Sequence, residues 1–432
     1  MNPTSKPRKT VGGNFAWTLS AGLMYGFAQW GVLVACARLG TMEMLGEFAL
    51  GLAITAPVML LARMQMRNLQ ATDARSAYGF EHYLGLMVLN VLGGVVLCCA
   101  IALVAGYSAR VSLVIALLAL AKGFEALSEV FYGAMHQKEQ MGLAARSLIV
   151  KSVLSVVLVV VALQVTASAV LAAAALGFSW AIVLFVFDAP AYRREFGGVG
   201  PWRLLWRTRW REQGVRLKSL LGLAYALGIT ALLSSLRPNV PRYLLEAHFG
   251  QAELGMYAAL AYFTMLGGRV VFALGQAVTP RLGRYHTEGD QRRYGRALMG
   301  LAGGSALVGV CAIIGSALLG RWALTLFYGA EYAQNLDLFV WLMVAAGLEY
   351  VCVSLQIGLT AARELKAQAL MLVASVVVVG LGSAWWVPTV GPVGAAWALA
   401  LGWLVELGAS AWLTFRVWRR LGLQEAVSVE GG

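Results

Sequence analysis

Charged residues are scarce in this sequence, and residues suited to covalent chemistry or metal binding are few. Of its 432 residues, 13% are charged and 59% are hydrophobic, and the mean hydropathy is +0.71. A soluble domain is about 25% charged and about 45–50% apolar. The composition therefore excludes an ordinary soluble protein and predicts a membrane protein.

The five cysteines and four histidines do not form the spacing of a disulfide framework or a metal site. The cysteines fall in or at the ends of apolar runs, where they are expected to be buried as small residues. The sequence also lacks the GxxxxGK[ST] loop that binds nucleotide phosphates, which argues against ATP hydrolysis by this chain. We therefore expect no metal, no cofactor and no enzymatic activity.

Long apolar runs are what the sequence has instead. A helix needs about 20 apolar residues to cross the bilayer core. Twelve runs approach or exceed this length, and we number them spans 1 to 12: residues 14–36, 43–62, 83–105, 111–133, 147–165, 167–188, 219–237, 254–279, 297–319, 335–359, 367–387 and 392–415. They predict an all-α polytopic membrane protein.

The net charge of +13 is distributed by topology. With the N-terminus inside, most lysines and arginines fall in cytoplasmic segments, whereas the outer loops contain only Arg38, Arg110, Arg237, Arg242 and Arg321. This bias follows the positive-inside rule and predicts that both termini are cytoplasmic, in a bacterial inner membrane. It makes nucleic acid an improbable partner; attraction to anionic membrane lipid is a secondary interpretation.

The longest polar stretch between spans, residues 189–218, divides the chain into six spans and six. We predict an N-terminal bundle over 1–190, a basic linker over 191–218 and a C-terminal bundle over 219–432. Trp202, Trp206 and Trp210 recur every four residues among arginines in the linker. This pattern fits an amphipathic helix on the inner membrane surface, and a segment that only joins the two halves fits equally well.

The two halves share short sequences in the same order. Leu45–Leu50 matches Leu254–Ala259, Gly123–Glu125 matches Gly347–Glu349, and Leu176–Phe178 matches Leu401–Trp403. Six spans separate the members of each pair, so both halves run in the same direction. The pattern predicts a parallel repeat about an axis along the membrane normal, with a substrate site between the halves.

Span 4 contains three charged residues, Lys122, Glu125 and Glu129, whose spacing places them on one helical face. A charge at mid-bilayer costs roughly 2.5–3.5 kcal/mol on insertion scales, so such residues face a protein interior or a cavity. Lys122 can pair with Glu125, but Glu129 then repels Glu125 unless another cation or a proton intervenes. Lys151 on span 5 is a candidate partner. The group is either a site for ion coupling or a structural polar network.

Several segments resemble a known family. Leu326–Tyr332 (LFYGAEY) before span 10 and Gly391–Ala396 (GPVGAA) before span 12 resemble motifs of polysaccharide-transport flippases. The Leu-Gly-x-aromatic-Ala starts of spans 2 and 8 agree with them. The whole chain is thus similar to the Wzx-type lipid-linked oligosaccharide flippases of the multidrug/oligosaccharidyl-lipid/polysaccharide (MOP) exporter superfamily.

The resemblance implies two six-helix bundles arranged as a V, with spans 1, 2, 7 and 8 lining a cavity. Polar residues of these spans agree: the candidate head-group contacts are Tyr25, Gln29, Arg237, Tyr262, Arg269 and Gln276. Tyr262, Arg269 and Gln276 recur at seven-residue intervals on span 8 and form one stripe. Arg269 either binds the pyrophosphate or an acidic sugar of the substrate, or is neutralised by a carboxylate. Glu349 and Glu406 can each pair with Arg269 or carry a coupling ion.

The function implied is transfer of a polyprenyl-pyrophosphate-linked oligosaccharide to the outer leaflet by alternating access, for O-antigen or exopolysaccharide synthesis. A polysaccharide polymerase and assembly proteins are expected partners. A proton- or sodium-coupled drug antiporter is the main alternative, although a site for cationic drugs is expected to lack a central arginine. A membrane glycosyltransferase or O-antigen ligase is the second alternative, but a ligase is expected to have a large outer loop, and the outer loops here are short.

Overall fold

A computed structural model describes residues 11–73, 77–197, 200–203 and 214–430, which form helices joined by short turns and contain no β-strand. The predicted all-α fold is confirmed. The chain divides into two compact units, Met1–Ser235 and Leu236–Gly432. We call them the N-terminal unit and the C-terminal unit. The predicted limits at residues 190 and 218 stay a prediction.

The described residues up to Phe196 form eight α-helices, most of them near a predicted span. They are α1 (Val11–Leu39), α2 (Met42–Arg63), α3 (Met66–Thr72), α4 (Phe80–Val104), α5 (Ala109–Gln137), α6 (Met141–Thr166), α7 (Ala169–Ile182) and α8 (Ala189–Phe196). A π-helical segment, Val183–Asp188, joins α7 to α8. The sequence predicted span 6 as one helix, and the π-helical segment corrects that prediction. π-Helical turns inside α-helices are rare, and the composition of this segment does not indicate one.

The remaining described α-helices have between 25 and 48 residues. They are α9 (Gly214–Ala261), α10 (Thr264–Glu288), α11 (Gln291–Phe327), α12 (Leu336–Ala361), α13 (Leu365–Val390) and α14 (Pro392–Glu430), with a 3₁₀ turn at Tyr332–Asn335. Helix α9 begins in the N-terminal unit, where Leu220 and Ala224 join the buried core, and continues into the C-terminal unit.

The described chain has eleven stretches long and apolar enough to cross a membrane, one of which covers the 71 residues Lys218–Glu288. A straight helix of that length spans about 107 Å at 1.5 Å per residue, far beyond the bilayer core of about 30 Å. The backbone leaves helical geometry within it at Gly250, whose φ of 80° suits glycine. This stretch is therefore long enough to cross the membrane twice, and two crossings would bring the total in the described chain to twelve.

Span 8 is not the continuous helix that the sequence predicted. Helix α9 ends at Ala261, Tyr262 and Phe263 form a turn, and α10 begins at Thr264. The Phe263 ring packs edge-on against Tyr328 at 5.6 Å and Phe339 at 5.2 Å between ring centroids. These contacts join segments distant in the sequence, and neither glycine nor proline marks the break.

The linker tryptophans are described only in part. Trp202 is half-buried and packs against Phe131 and Phe185, with ring centroids 6.2 and 5.4 Å away. Trp202 therefore contacts the core of the N-terminal unit, and the choice between a membrane-surface helix and a simple connecting segment stays open. Trp206 and Trp210 lie outside the described residues.

Candidate functional site: buried charges in each unit

Glu125 is the centre of a charged network in the N-terminal unit. Its carboxylate accepts a hydrogen bond from the Tyr25 hydroxyl and another from Lys122 Nζ at 3.0 Å, and it pairs with the guanidinium of Arg63. Arg63 also lies 3.5 Å from Glu129. The predicted pair of Lys122 with Glu125 is present. The two cations and two carboxylates of this network balance.

Arg63 is the cation that the repulsion between Glu125 and Glu129 required, and sequence reasoning missed this role. It is the last residue of α2, which ends because Met64 and Gln65 both adopt left-handed conformations with φ of 47° and 50°. The unfavourable spacing of the two glutamates was the one signal that pointed to a further cation. Tyr25, predicted to contact substrate, belongs to this network.

Lys151 was predicted as a second partner of the glutamates, but its contacts differ. Its ammonium lies 5.4 Å from the ring centre of Tyr132 and 5.9 Å from that of Trp180. It interacts with Glu125 and Glu129 only at longer range, and also with Asp188, a buried acid that the sequence analysis did not single out. Lys151 is thus separate from the hydrogen-bonded network.

The C-terminal unit contains a second buried pair, Arg237 with Glu406. The Arg237 guanidinium stacks 3.3 Å from the ring centre of Trp403 and lies 3.4 Å from the Ser375 hydroxyl. The second carboxylate oxygen of Glu406 accepts a hydrogen bond from Gln356. Arg237 was expected near the outer mouth as a head-group contact, but it is only 8% exposed and is held by Glu406. A guanidinium prefers such a carboxylate pair to isolation in an apolar interior.

Arg269 differs from these arginines. Its side chain is exposed on α10, and no salt bridge joins it to any residue of the described chain. Gln276, two turns further along the helix, is exposed too, so these two residues retain the predicted stripe. Tyr262 lies in the turn before α10 and is not part of its helical face.

The remaining predicted residues are not brought together with Arg269. Glu349 makes no direct salt bridge within the described ranges and interacts at longer range with Arg237. Gln29 is half-buried, and its amide nitrogen has no hydrogen-bond partner among the described residues. Among the described residues, no cluster of three or more His, Cys, Asp or Glu side chains is suited to binding a metal ion.

Comparison with known proteins shows the family of this chain. A family model described as polysaccharide biosynthesis protein matches residues 36–337, which is more than half of the chain. The chain belongs to this family. A curated relative, the capsular polysaccharide biosynthesis protein CapF of Staphylococcus aureus, is 22% identical over 347 residues, covering 80% of this chain and 84% of the relative.

Solved structures show the same fold. An inward-facing multidrug resistance MATE family transporter of the MOP superfamily aligns with a TM-score of 0.75 at 15% identity, covering 96% of this chain and 99% of the other. The lipid II flippase MurJ in an inward closed conformation aligns with a TM-score of 0.71 at 10% identity, covering 95% and 90%. The predicted resemblance to MOP superfamily transporters is confirmed at the level of the fold, and this member of the polysaccharide biosynthesis family has a multi-pass membrane transporter fold.

Proposed function

We propose that this protein is a flippase that moves a polyprenyl-pyrophosphate-linked oligosaccharide across the inner membrane by alternating access. The observation that carries the proposal is Arg269: a guanidinium exposed on a membrane-spanning helix, without a carboxylate partner in the described chain. The family supports a role in polysaccharide biosynthesis. The lipid-linked substrate, the inner membrane and the cytoplasmic termini are parts of the proposal.

A charged residue inside a membrane protein is costly and is kept where it has a partner or a function. Arg63 and Arg237 have carboxylate partners within their own units. Arg269 has none there, so an anion from outside the chain is the partner its chemistry requires. The planar guanidinium donates paired hydrogen bonds to phosphate oxygens, which suits a pyrophosphate better than a neutral sugar.

For Lys122, Glu125 and Glu129, the contacts support the structural hypothesis over ion coupling. Glu125 already accepts from Tyr25, Lys122 and Arg63, so taking up a proton would break favourable interactions. Glu406 is likewise bonded at both oxygens. Charge-neutral Glu125→Gln and Glu129→Gln variants that keep the pH dependence of transport would support this assignment.

The test is mass spectrometry of membrane lipids from cells that lack the protein. We expect a polyprenyl-pyrophosphate oligosaccharide to accumulate, and the wild-type protein to remove it. Arg269→Ala should leave the intermediate high, and Arg269→Lys should remove it only in part, because lysine keeps the charge and loses the paired geometry. Arg281→Ala, which removes an exposed arginine from the same helix, is the matched control and should behave as wild type.

Two outcomes would contradict the proposal at different points. Complete removal of the intermediate by Arg269→Ala would exclude Arg269 as the head-group contact while leaving the flippase intact. No accumulation in the deletion strain, together with raised sensitivity to cationic drugs, would favour the antiporter.

A further inference from the structure

Three buried polar residues of the N-terminal unit each have one side-chain atom without a hydrogen bond to a described residue. The exposed fraction of Lys151, Asp188 and Ser128 is 0%. Lys151 Nζ, Asp188 Oδ2 and Ser128 Oγ make no hydrogen bond with any described residue. Moving one such group from water into an apolar interior without a hydrogen bond costs on the order of several kcal/mol. Three such groups in one unit therefore require an explanation.

Interactions with Asp188 connect the three groups. Lys151 and Asp188 interact electrostatically, but no direct salt bridge joins them, and Ser128 lies beside Asp188 outside standard hydrogen-bond geometry. The other oxygen of Asp188 accepts a hydrogen bond of 2.5 Å from Ser147, whose hydroxyl contacts that of Tyr132 at 2.8 Å. One carboxylate oxygen of Asp188 is therefore hydrogen-bonded, and the other has no hydrogen-bond partner among the described residues.

Three helical elements create this arrangement. Ser128 and Tyr132 are four residues apart on α5 and so share a face. Lys151 comes from α6, and Asp188 is the last residue of the π-helical segment Val183–Asp188. Such segments occur frequently at functional sites because they re-aim a side chain that a regular helix would direct elsewhere.

We propose that Lys151, Asp188 and Ser128 enclose a bound water molecule and, with it, form a proton-exchange site. A buried water typically has two to four polar partners, and these three groups supply one acceptor, one donor and one hydroxyl that can do either. One proton leaves Lys151 Nζ for the water while the water gives one to Asp188 Oδ2. The products are a neutral amine and a carboxylic acid, and the net charge of the site is unchanged.

The neutral arrangement is the resting one, because it leaves no unpaired charge in an apolar interior. Other ionisable groups act on the site from neighbouring elements: Arg63 from α2, and Glu125, Glu129 and Tyr132 from α5. The paired carboxylates of the first network lack this freedom, since Glu125 already contacts two cations. A use of the site in coupling proton movement to transport rests on the proposed function; the existence of the site does not.

Infrared spectroscopy of the full-length protein in lipid nanodiscs tests the site directly. At neutral pH, where exposed carboxylates are ionised, we expect the carbonyl stretch of a protonated carboxyl group that shifts in D₂O. Asp188→Asn should abolish this band. Asp337→Asn, which removes an exposed carboxylate at the start of α12, should leave it intact. Absence of the band in the wild type, or its persistence in Asp188→Asn, would overturn the proposal.

A second variant guards against simple misfolding. Lys151→Met combined with Asp188→Asn removes both ionisable groups together and leaves neither one buried alone, so we expect the variant to fold and to lack the band. In the lipid assay it should fail to clear the intermediate if transport uses this proton, whereas full clearance would overturn the coupling role. Failure of the wild type to clear any intermediate would instead refute the flippase, and the infrared result would still decide the site.

Discussion

At the scale of single residues, the arginines of the membrane spans divide by what their guanidinium groups contact. Arg63 joins two glutamates, and Arg237 is held between a glutamate and a tryptophan ring. Arg269 is exposed and has no salt bridge to a described residue. The residue type alone does not distinguish structure from binding; the surroundings of each guanidinium do.

Arg63 gives the first stability prediction. Arg63→Ala leaves Glu125 with Lys122 alone and Glu129 with no salt-bridged cation among the described residues. Removing one partner of a buried ion pair costs about 3–5 kcal/mol, because the remaining charge stays buried. We expect a loss of this size in the free energy of unfolding, measured by reversible denaturation in detergent micelles.

The control is Arg420→Ala, which breaks the exposed pair of Arg420 with Glu364 at 3.2 Å. Exposed pairs contribute about 0–1 kcal/mol. Adding Glu125→Gln and Glu129→Gln to Arg63→Ala should recover part of the lost stability, since no unpaired carboxylate then remains. Equal effects of Arg63→Ala and Arg420→Ala would show that the network is not structural.

The sequence predicted only part of this site, for a physical reason. Lys122 and Glu125 lie three residues apart on one helix, so their contact is local and follows from spacing. Arg63 and Asp188 reach the same region from other helices, and one sequence does not specify which helix faces pack together. The pairing of Arg237 with Glu406, 169 positions apart, was missed for the same reason.

At the scale of the helices, the positions of most spans were predicted, but the ends of spans 7, 8 and 12 and the interruptions were not. A helix that crosses lipid needs a long apolar run, and such runs can be recognised in the sequence directly. The turn at Tyr262–Phe263 depends instead on aromatic packing against distant segments. Local patterns therefore give the number of helices but not their breaks.

Helix α10 provides a prediction on close packing. A Cβ atom on Gly267 would lie 2.6 Å from Cζ of Tyr350, whereas one on Gly268 would lie at an ordinary 3.7 Å from the same ring. Tyr350 also donates a hydrogen bond to the carbonyl of Thr264 at the start of α10. Gly267→Ala should therefore displace Tyr350 and lower the free energy of unfolding by about 1–3 kcal/mol, the usual range for overpacking.

Gly268→Ala is the matched control, because it makes the same chemical change one residue away with room for the methyl group. Thermal unfolding of both variants in one detergent measures the difference. We expect a lower melting temperature for Gly267→Ala and little change for Gly268→Ala. Equal melting temperatures would show that α10 and α12 adjust without cost.

At the scale of the whole molecule, the repeat of the sequence does not extend to its charges. Glu125 and Glu349 occupy matching positions in the two halves. Glu125 contacts Arg63 and Lys122, but Glu349 has no direct salt bridge within the described ranges. The acid of the Lys151–Asp188 site likewise belongs to the N-terminal unit alone. The two halves therefore differ in the contacts of their acids at these matching positions.

The topology of the chain is the last prediction, and it depends on the 71-residue stretch from Lys218 to Glu288. If this stretch crosses the membrane twice, as its length and the interruption at Gly250 indicate, Lys218 and Glu288 lie on one side and His248 on the other. All three side chains are exposed.

In a variant without native cysteines, each of these three residues is replaced by cysteine, and the protein is treated with a membrane-impermeant maleimide. We expect labelling of His248→Cys in cells with an intact inner membrane, and of Lys218→Cys and Glu288→Cys only after that membrane is opened. A single crossing would place Lys218 and Glu288 on opposite sides, which would give eleven spans and separate the two termini.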